Sequence, residues 1–269
     1  MSTLSESIIC FLDEYDLDYG MLVGGYYIPR SMLRKLDLSV ARIKKKYQLD
    51  LSDVIKYNYM DKECEKLRDL REKIPELRSD IFKLPKDLNM TLIMSFVWKG
   101  SKEYRAESWK WSFTNILQRL SFDLEQNYNL LKEKDDYPYL DTVFDWLPDS
   151  KIKIMEYLNV YQKAYYEGYR FEQNIVKPLR RFCACPCLVC TSTRVSFALQ
   201  INDCLVGSTG EFFKWCFTGE RDENVNKYFR KYFDNFRKGE NGEVVGYGLI
   251  VPRNYRDEIT EKLHELKLI

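Results

Sequence analysis

Three aspartates stand where their neighbours predict burial. Asp13 follows the apolar run of residues 8–12 (IICFL), Asp145 lies near the end of residues 139–146 (YLDTVFDW), and Asp203 interrupts residues 196–216 (SFALQINDCLVGSTGEFFKWC). Burying a carboxylate is costly unless it is paired or binds a metal. Each also has an ordinary reading: Asp13 and Glu14 facing water at a strand end, Asp145 capping the helix that opens near Asp149, Asp203 pairing with an arginine. Brought together, the three would suit Mg²⁺ or Mn²⁺, which prefer carboxylate and water oxygens. Two such ions about 3.5 to 4 Å apart can activate a water and stabilise a leaving oxygen in phosphodiester hydrolysis. Side chains alternate along a strand, so Asp13 and Glu14 should point to opposite faces. That favours Asp13 as the ligand and leaves Glu14 a secondary one.

Other chemistries find little support. The sole histidine, His264, is five residues from the last residue, Ile269. Ser-His-Asp and Cys-His catalysis and His-based metal sites need a histidine in the core of the fold. Eight cysteines include the cluster Cys183, Cys185, Cys187 and Cys190 (CACPCLVC). Its spacing does not match paired C-x2-C knuckles, so a strand lined with small, buried thiols is preferred over zinc. With 42 Lys and Arg against 41 Asp and Glu, no global basic excess points to nucleic acid. Local patches at 42–46 (RIKKK), Arg180-Arg181 and 226–238 read first as solvated helix faces. No apolar stretch is long enough to span a membrane, and no signal peptide is apparent, which predicts a cytoplasmic protein.

A sheet must position these acids. Residues 8–14 and 21–28 read as strands around a turn at 16–20 (DLDYG), an antiparallel hairpin in which Gly24 and Gly25 mark a bulge or a close approach. Ser31 caps a helix to about residue 47, with Leu33, Leu36, Val40 and Ile43 at helical spacing. Lys56 sits in a connecting piece over 51–60. A charged helix follows over 61–73, and Pro75 and Pro85 bracket a loop. Residues 90–98 and 139–146 read as buried strands, 180–189 as strand or loop, and 242–252 as a last strand. Helices are expected over 104–134, 149–168, 196–216 (broken at Gly207 and Gly210), 223–238 and 255–266. A hairpin followed by alternating strands and helices predicts one mixed-sheet α/β domain with helices on both faces. Such sheets build their sites at the carboxyl ends of strands.

FLDEYD, a hairpin and GGYYI, in that order, resemble the opening of a mostly bacterial domain of unknown function, family three thousand eight hundred, whose first strand ends in DESG. Three later stretches are similar to that family's motifs in the same order. They are Ile55-Lys56-Tyr57-Asn58 (its IKW), Thr142 to Trp146 (its later strand ending in Asp) and Leu199 to Leu205 (its LQxADL helix). Tyr15 and Asp16 replace the family's Ser-Gly, Asn202 replaces its Ala, and CPCLVCTS occupies its short strand before the last motif. The resemblance implies a ribonuclease-H-like fold over residues 1–269, with helical insertions at about 31–85 and 104–134 and a helix-strand-helix extension at about 222–269. It further implies that Asp13, Asp145 and Asp203 are metal ligands, with Glu14 nearby and Lys56 on a phosphate.

The expectation is a divalent-metal-dependent nuclease, a hydrolase of bacterial or phage type. Asp13 would bridge two Mg²⁺ or Mn²⁺ ions, Asp145 and Asp203 would each hold one, and Lys56, Arg180 or Arg181 would contact the nucleic-acid backbone. The alternative is an inactive ribonuclease-H-like binding module that uses the Tyr/Phe and Lys/Arg mixture of residues 227–238 on bases or a protein.

Overall fold

The computed structural model describes residues 7–104, 107–131, 140–145, 151–171, 174–182, 184–220 and 223–269. The hairpin is formed by β1 (Ile8–Leu17) and β2 (Gly20–Pro29), paired from Ile8↔Pro29 to Leu17↔Gly20. It is longer than its apolar run. Tyr15 and Leu17 still pack on the core while Asp16 faces out, so the alternation carries the strand past the acids to a turn at Asp18-Tyr19. Asp13 and Glu14 therefore lie inside a strand and not at its end.

A short 3-10 turn leads into α1 (Leu33–Lys46), and α2 (Glu65–Asp69), α3 (Ile74–Ile81) and α4 (Leu84–Asp87) precede β3 (Thr91–Trp98). Pro75 and Pro85 do not bracket a loop; each lies in the first turn of a helix, α3 or α4. Proline's fixed φ suits that position, and its missing N–H would have no intrahelical partner there. Next come α5 (Ser108–Leu131), β4 (Leu140–Asp145), α6 (Lys151–Tyr166) and a small ribbon of β5 (Tyr169–Phe171) and β6 (Asn174–Val176). The expected cap at Asp149 or Ser150 falls outside the described residues. A 3-10 turn, Leu179–Phe182, leads into β7 (Ala184–Thr191), then α7 (Phe197–Thr218), α8 (Glu223–Tyr232), β8 (Leu249–Ile250) and α9 (Arg256–Glu265).

The main sheet has six strands in the order β7-β4-β1-β2-β3-β8. β1–β2 and β2–β3 are antiparallel; β1–β4, β4–β7 and β3–β8 are parallel. The chain is thus an α/β protein with a mixed sheet covered on both faces. One face carries Phe11, Leu22, Tyr26, Met94 and Phe96 against α7 and its neighbours. The other carries Cys10, Leu12, Val23 and Ile93 against Trp109 and Phe113 of α5 and Tyr157 and Tyr161 of α6. Among the described residues no helix is long and apolar enough to cross a membrane.

Three expectations change with packing. α7 runs unbroken through Gly207 and Gly210; the Ser196 hydroxyl caps it, accepting from Leu199 N (3.3 Å), and left-handed Gly219 ends it. The helix expected over 223–238 stops at Tyr232, and of 242–252 only Leu249 and Ile250 pair as a strand. Gly242 and Gly246 hold positive φ there and bend the chain away. Two patches read as solvated helix faces keep exposed basic residues (Arg42, Lys45 and Lys46; Lys227, Arg230 and Lys238) but each also has a buried side. Lys44 is fully buried and donates to Leu51 O (2.9 Å) and Asp53 O (2.6 Å), while Tyr228, Phe229, Tyr232, Phe233 and Phe236 fill the core beside α7.

Candidate carboxylate site

β1 sets the geometry. Its odd-numbered residues from Ile9 to Leu17 face α7, and Ile8, Cys10 and Leu12 face α5 and α6. Asp13 falls on the α7 side. Glu14 falls on the other, where its Oε2 accepts from the Tyr157 hydroxyl (2.7 Å). The two acids point to opposite faces, as the alternation requires. Both are buried, Asp13 4% and Glu14 7% exposed. Glu14 therefore lies on the opposite face of the sheet from Asp13.

Parallel pairing sets Leu12 opposite Phe144, so the next residues in step are Asp13 and Asp145, the last residue of β4. α7 brings the third acid by crossing the hairpin at Gly24 and Gly25. A Cβ on Gly25 would lie 2.6 Å from Asn202 Oδ1, and Asn202 Nδ2 donates to Gly24 O (3.4 Å). The glycine pair thus marks a close approach, with no register shift between β1 and β2. Asn202, anchored there, is followed by Asp203.

The aspartates feel one another. Burial raises the Asp13 carboxyl well above its ordinary range, and the charges of Asp145 and Asp203 raise it further. Burial raises Asp203 to about 6, opposed by the Tyr57 N–H and Lys56 and reinforced by Asp145. Tyr15 is raised to about 12 by burial, then by Asp203, Glu211 and Asp13, so its hydroxyl stays protonated near neutrality and can donate.

Each carboxylate also has an internal partner. Asp13 Oδ1 accepts from Glu14 N (2.7 Å) and Asp203 Oδ1 from Tyr57 N (2.6 Å). Asp145 accepts from Thr193 N (2.9 Å) and from the Thr193 hydroxyl (2.6 Å). Gln200 ties these supports together by donating to Thr193 O (3.1 Å) and accepting from Ile55 N (3.4 Å). In this arrangement the carboxylates serve the protein's own donors. Among the described residues no group of three or more His, Cys, Asp or Glu side chains is set to hold a metal ion. The donor chemistry, three carboxylates of which two are pushed toward protonation, is nevertheless what a hard divalent cation would relieve.

Basic side chains border the cluster. Lys56 pairs with Glu63 (3.0 Å) and Asp61 (3.5 Å), and its charge reaches Asp203. Arg194 pairs with the same Glu63. Arg78 donates to Tyr57 O (2.5 Å), with its guanidinium 4.3 Å from the Tyr57 ring centroid. Arg180 and Arg181 are elsewhere. They precede β7, whose first residue pairs with Leu140 and whose last pairs with Asp145, so they sit at the opposite end of the sheet from the acids.

No family model and no curated protein matches the chain.

The sequence reading missed Arg78, Arg194, Thr193 and Gln200. Gln200 carried a signal, since it stands in the LQIND stretch three residues before Asp203. The others touch the site from distant segments without a motif. Of the four clustered cysteines, Cys183 lies outside the described residues, Cys185 and Cys190 are half-buried and Cys187 is exposed. They are not the buried lining expected: β7 is an edge strand with a neighbour on one side only, which leaves its side chains less covered.

Proposed function

We propose that the chain is a divalent-metal-dependent nuclease of ribonuclease-H-like fold, hydrolysing nucleic-acid phosphodiesters at the face shared by β1, β4 and α7. The hairpin-opened mixed sheet with helices on both faces supports the fold. The observation that carries the function is the convergence of Asp13 and Asp145, in step on paired β1 and β4, with Asp203 of α7, beside Lys56, Arg78 and Arg194. The hydrogen bonds to Asp13 and Asp203 satisfy single oxygens, and the clustered negative charge asks for a cationic counterpart. Asp13, Asp145 and Asp203 would hold Mg²⁺ or Mn²⁺, which supplies charge neutralisation at the attacking and leaving oxygens. Lys56, Arg78 and Arg194 would receive the phosphate backbone, and Tyr15, kept neutral, would donate a hydrogen bond at the rim. Glu14, facing Tyr157, positions β1 from behind and is no ligand in this reading. Arg180 and Arg181 have no part in it.

The binding-module alternative loses its main feature, because the rings of residues 228–236 are core and cannot stack on bases. The test is cleavage of labelled DNA and RNA with Mg²⁺ or Mn²⁺ by the wild type and Asp13→Asn, with Mn²⁺ calorimetry on both. Cleavage and Mn²⁺ binding are expected in the wild type, each reduced at least a hundredfold in the variant. Activity that survives Asp13→Asn, or a wild type that binds no Mn²⁺, overturns the proposal.

A further inference from the structure

A second polar site lies on the other face of the sheet. A cavity of about 590 Å³ opens between α5, the segment after β3 and the turn after β8. Four cations line it, Lys102, Arg119, Arg253 and Arg256, against one carboxylate, Glu103, and the Trp111 ring forms part of its wall. Two of the basic side chains are held in place. Arg119 donates through Nη2 (2.7 Å) and Nε (3.3 Å) to Gly246 O, and through Nη1 to Gln118 Oε1 (2.6 Å). Gly246, at φ +86°, lets the Arg256 guanidinium lie against the backbone, within 3.1 Å of where a Cβ would stand. Arg256 Nε is buried with no partner. Nearby, Arg237 is committed to Asp123. Arg119 falls to about 10 through burial and the repulsion of Arg237 and Arg256.

We propose that this cavity binds a nucleoside phosphate. Arg253 and Arg256 would take the phosphate, since a guanidinium fork matches phosphate oxygens. Trp111 would contact the base, and Glu103, whose Oε2 is buried without a partner, would accept from a sugar hydroxyl or a base N–H. A cavity of this volume falls within the usual range for small-molecule sites, about 300–1,000 Å³. It faces α5, whereas the aspartates face α7, so the two sites are independent.

The experiment is calorimetry of the whole protein in EDTA with the four ribonucleoside 5′-monophosphates, inorganic phosphate and adenosine. Variants are Arg253→Gln, Arg256→Gln and Trp111→Leu, with Asp13→Asn as control and circular dichroism to confirm folding. At least one monophosphate should bind tenfold or more tighter than either phosphate or adenosine. Each arginine variant should weaken it at least fivefold, and Asp13→Asn should leave it unchanged. The proposal is overturned if no monophosphate binds, if free phosphate binds equally well, or if folded Arg253→Gln and Arg256→Gln proteins bind normally. Loss of binding in Asp13→Asn would place the nucleotide at the carboxylates and overturn it too. Nuclease activity plays no part in the readout.

Discussion

Asp203 is raised from 3.8 to about 6, which makes a prediction about stability as well as about ligand binding. Between those two values the folded chain keeps a proton that the unfolded chain has released. Stability changes with pH in proportion to protons bound by the unfolded state minus those bound by the folded state, which is negative here. In EDTA, stability should therefore fall as pH rises from about 4 to about 6. Asp203→Asn keeps an oxygen for the Tyr57 N–H but has no proton to lose. Urea unfolding across this range should show the wild type losing stability relative to the variant; parallel curves would contradict the assignment. Mn²⁺, which requires the ionised form, should bind the wild type more weakly as pH falls through about 6. At this scale the acids were legible because a charge inside an apolar run violates the simplest burial rule. Their partners were not. Thr193 holds Asp145 across 48 residues of sequence, and no local spacing announces such a bond.

The connecting segment at residues 54–58 reaches the site because α7 has no side chain at one position. A Cβ on Gly207 would stand 2.5 Å from Tyr57 Cβ, well inside van der Waals contact, and the atom met is near the Tyr57 backbone rather than a flexible tip. Gly207→Ala should force Tyr57 away from α7 and lengthen the bond from its N–H to Asp203. We expect a loss of about 1–3 kcal/mol in stability, the usual range for overpacking, with Lys56 displaced and cleavage reduced. Gly210→Ala on the same helix is the control. The nearest atoms to its Cβ would be side-chain atoms of Leu17 (3.2 Å) and Tyr19 (3.6 Å), which can give way. Equal stability of the two variants would refute the argument. The hairpin, α1, β3 and α7 could be read from periodicity, since each has a clear apolar pattern. The two glycines of α7 looked like breaks because sequence shows the lost helix propensity and hides the neighbour that needs the space. Pro75 and Pro85 misled in the same way: the residue type signals an edge of structure but not which side of the edge it occupies.

Across the whole molecule, the hairpin and the alternation that follows it were enough to predict a mixed sheet with helices on both faces. They could not show how residues 223–269 would attach, because part of that attachment is an ion pair between distant segments. Arg237, after α8, donates through Nε to Asp123 on α5 (3.0 and 2.7 Å to its two oxygens) and pairs with it through Nη2 as well. The Tyr27 hydroxyl of β2 donates to the same carboxylate (3.2 Å), and the Arg237 N–H donates to Leu92 O of β3 (2.8 Å). The pair clasps the C-terminal segment to the sheet and to α5 at once. Both side chains are mostly covered, at 14% and 17% exposure, so removing one partner leaves a poorly solvated charge. Arg237→Met should cost about 3 kcal/mol, as for a broken buried pair, offset slightly by relief of the repulsion that Arg237 exerts on Arg119. Asp123→Leu with Arg237→Met removes both charges and should recover much of that loss, since two apolar groups in place of a buried pair are often nearly neutral. Urea unfolding of the four proteins completes the cycle. If the double variant is as unstable as the sum of the single ones, the two side chains do not act as a pair, and the C-terminal segment is held by its core packing and its backbone bonds to β3.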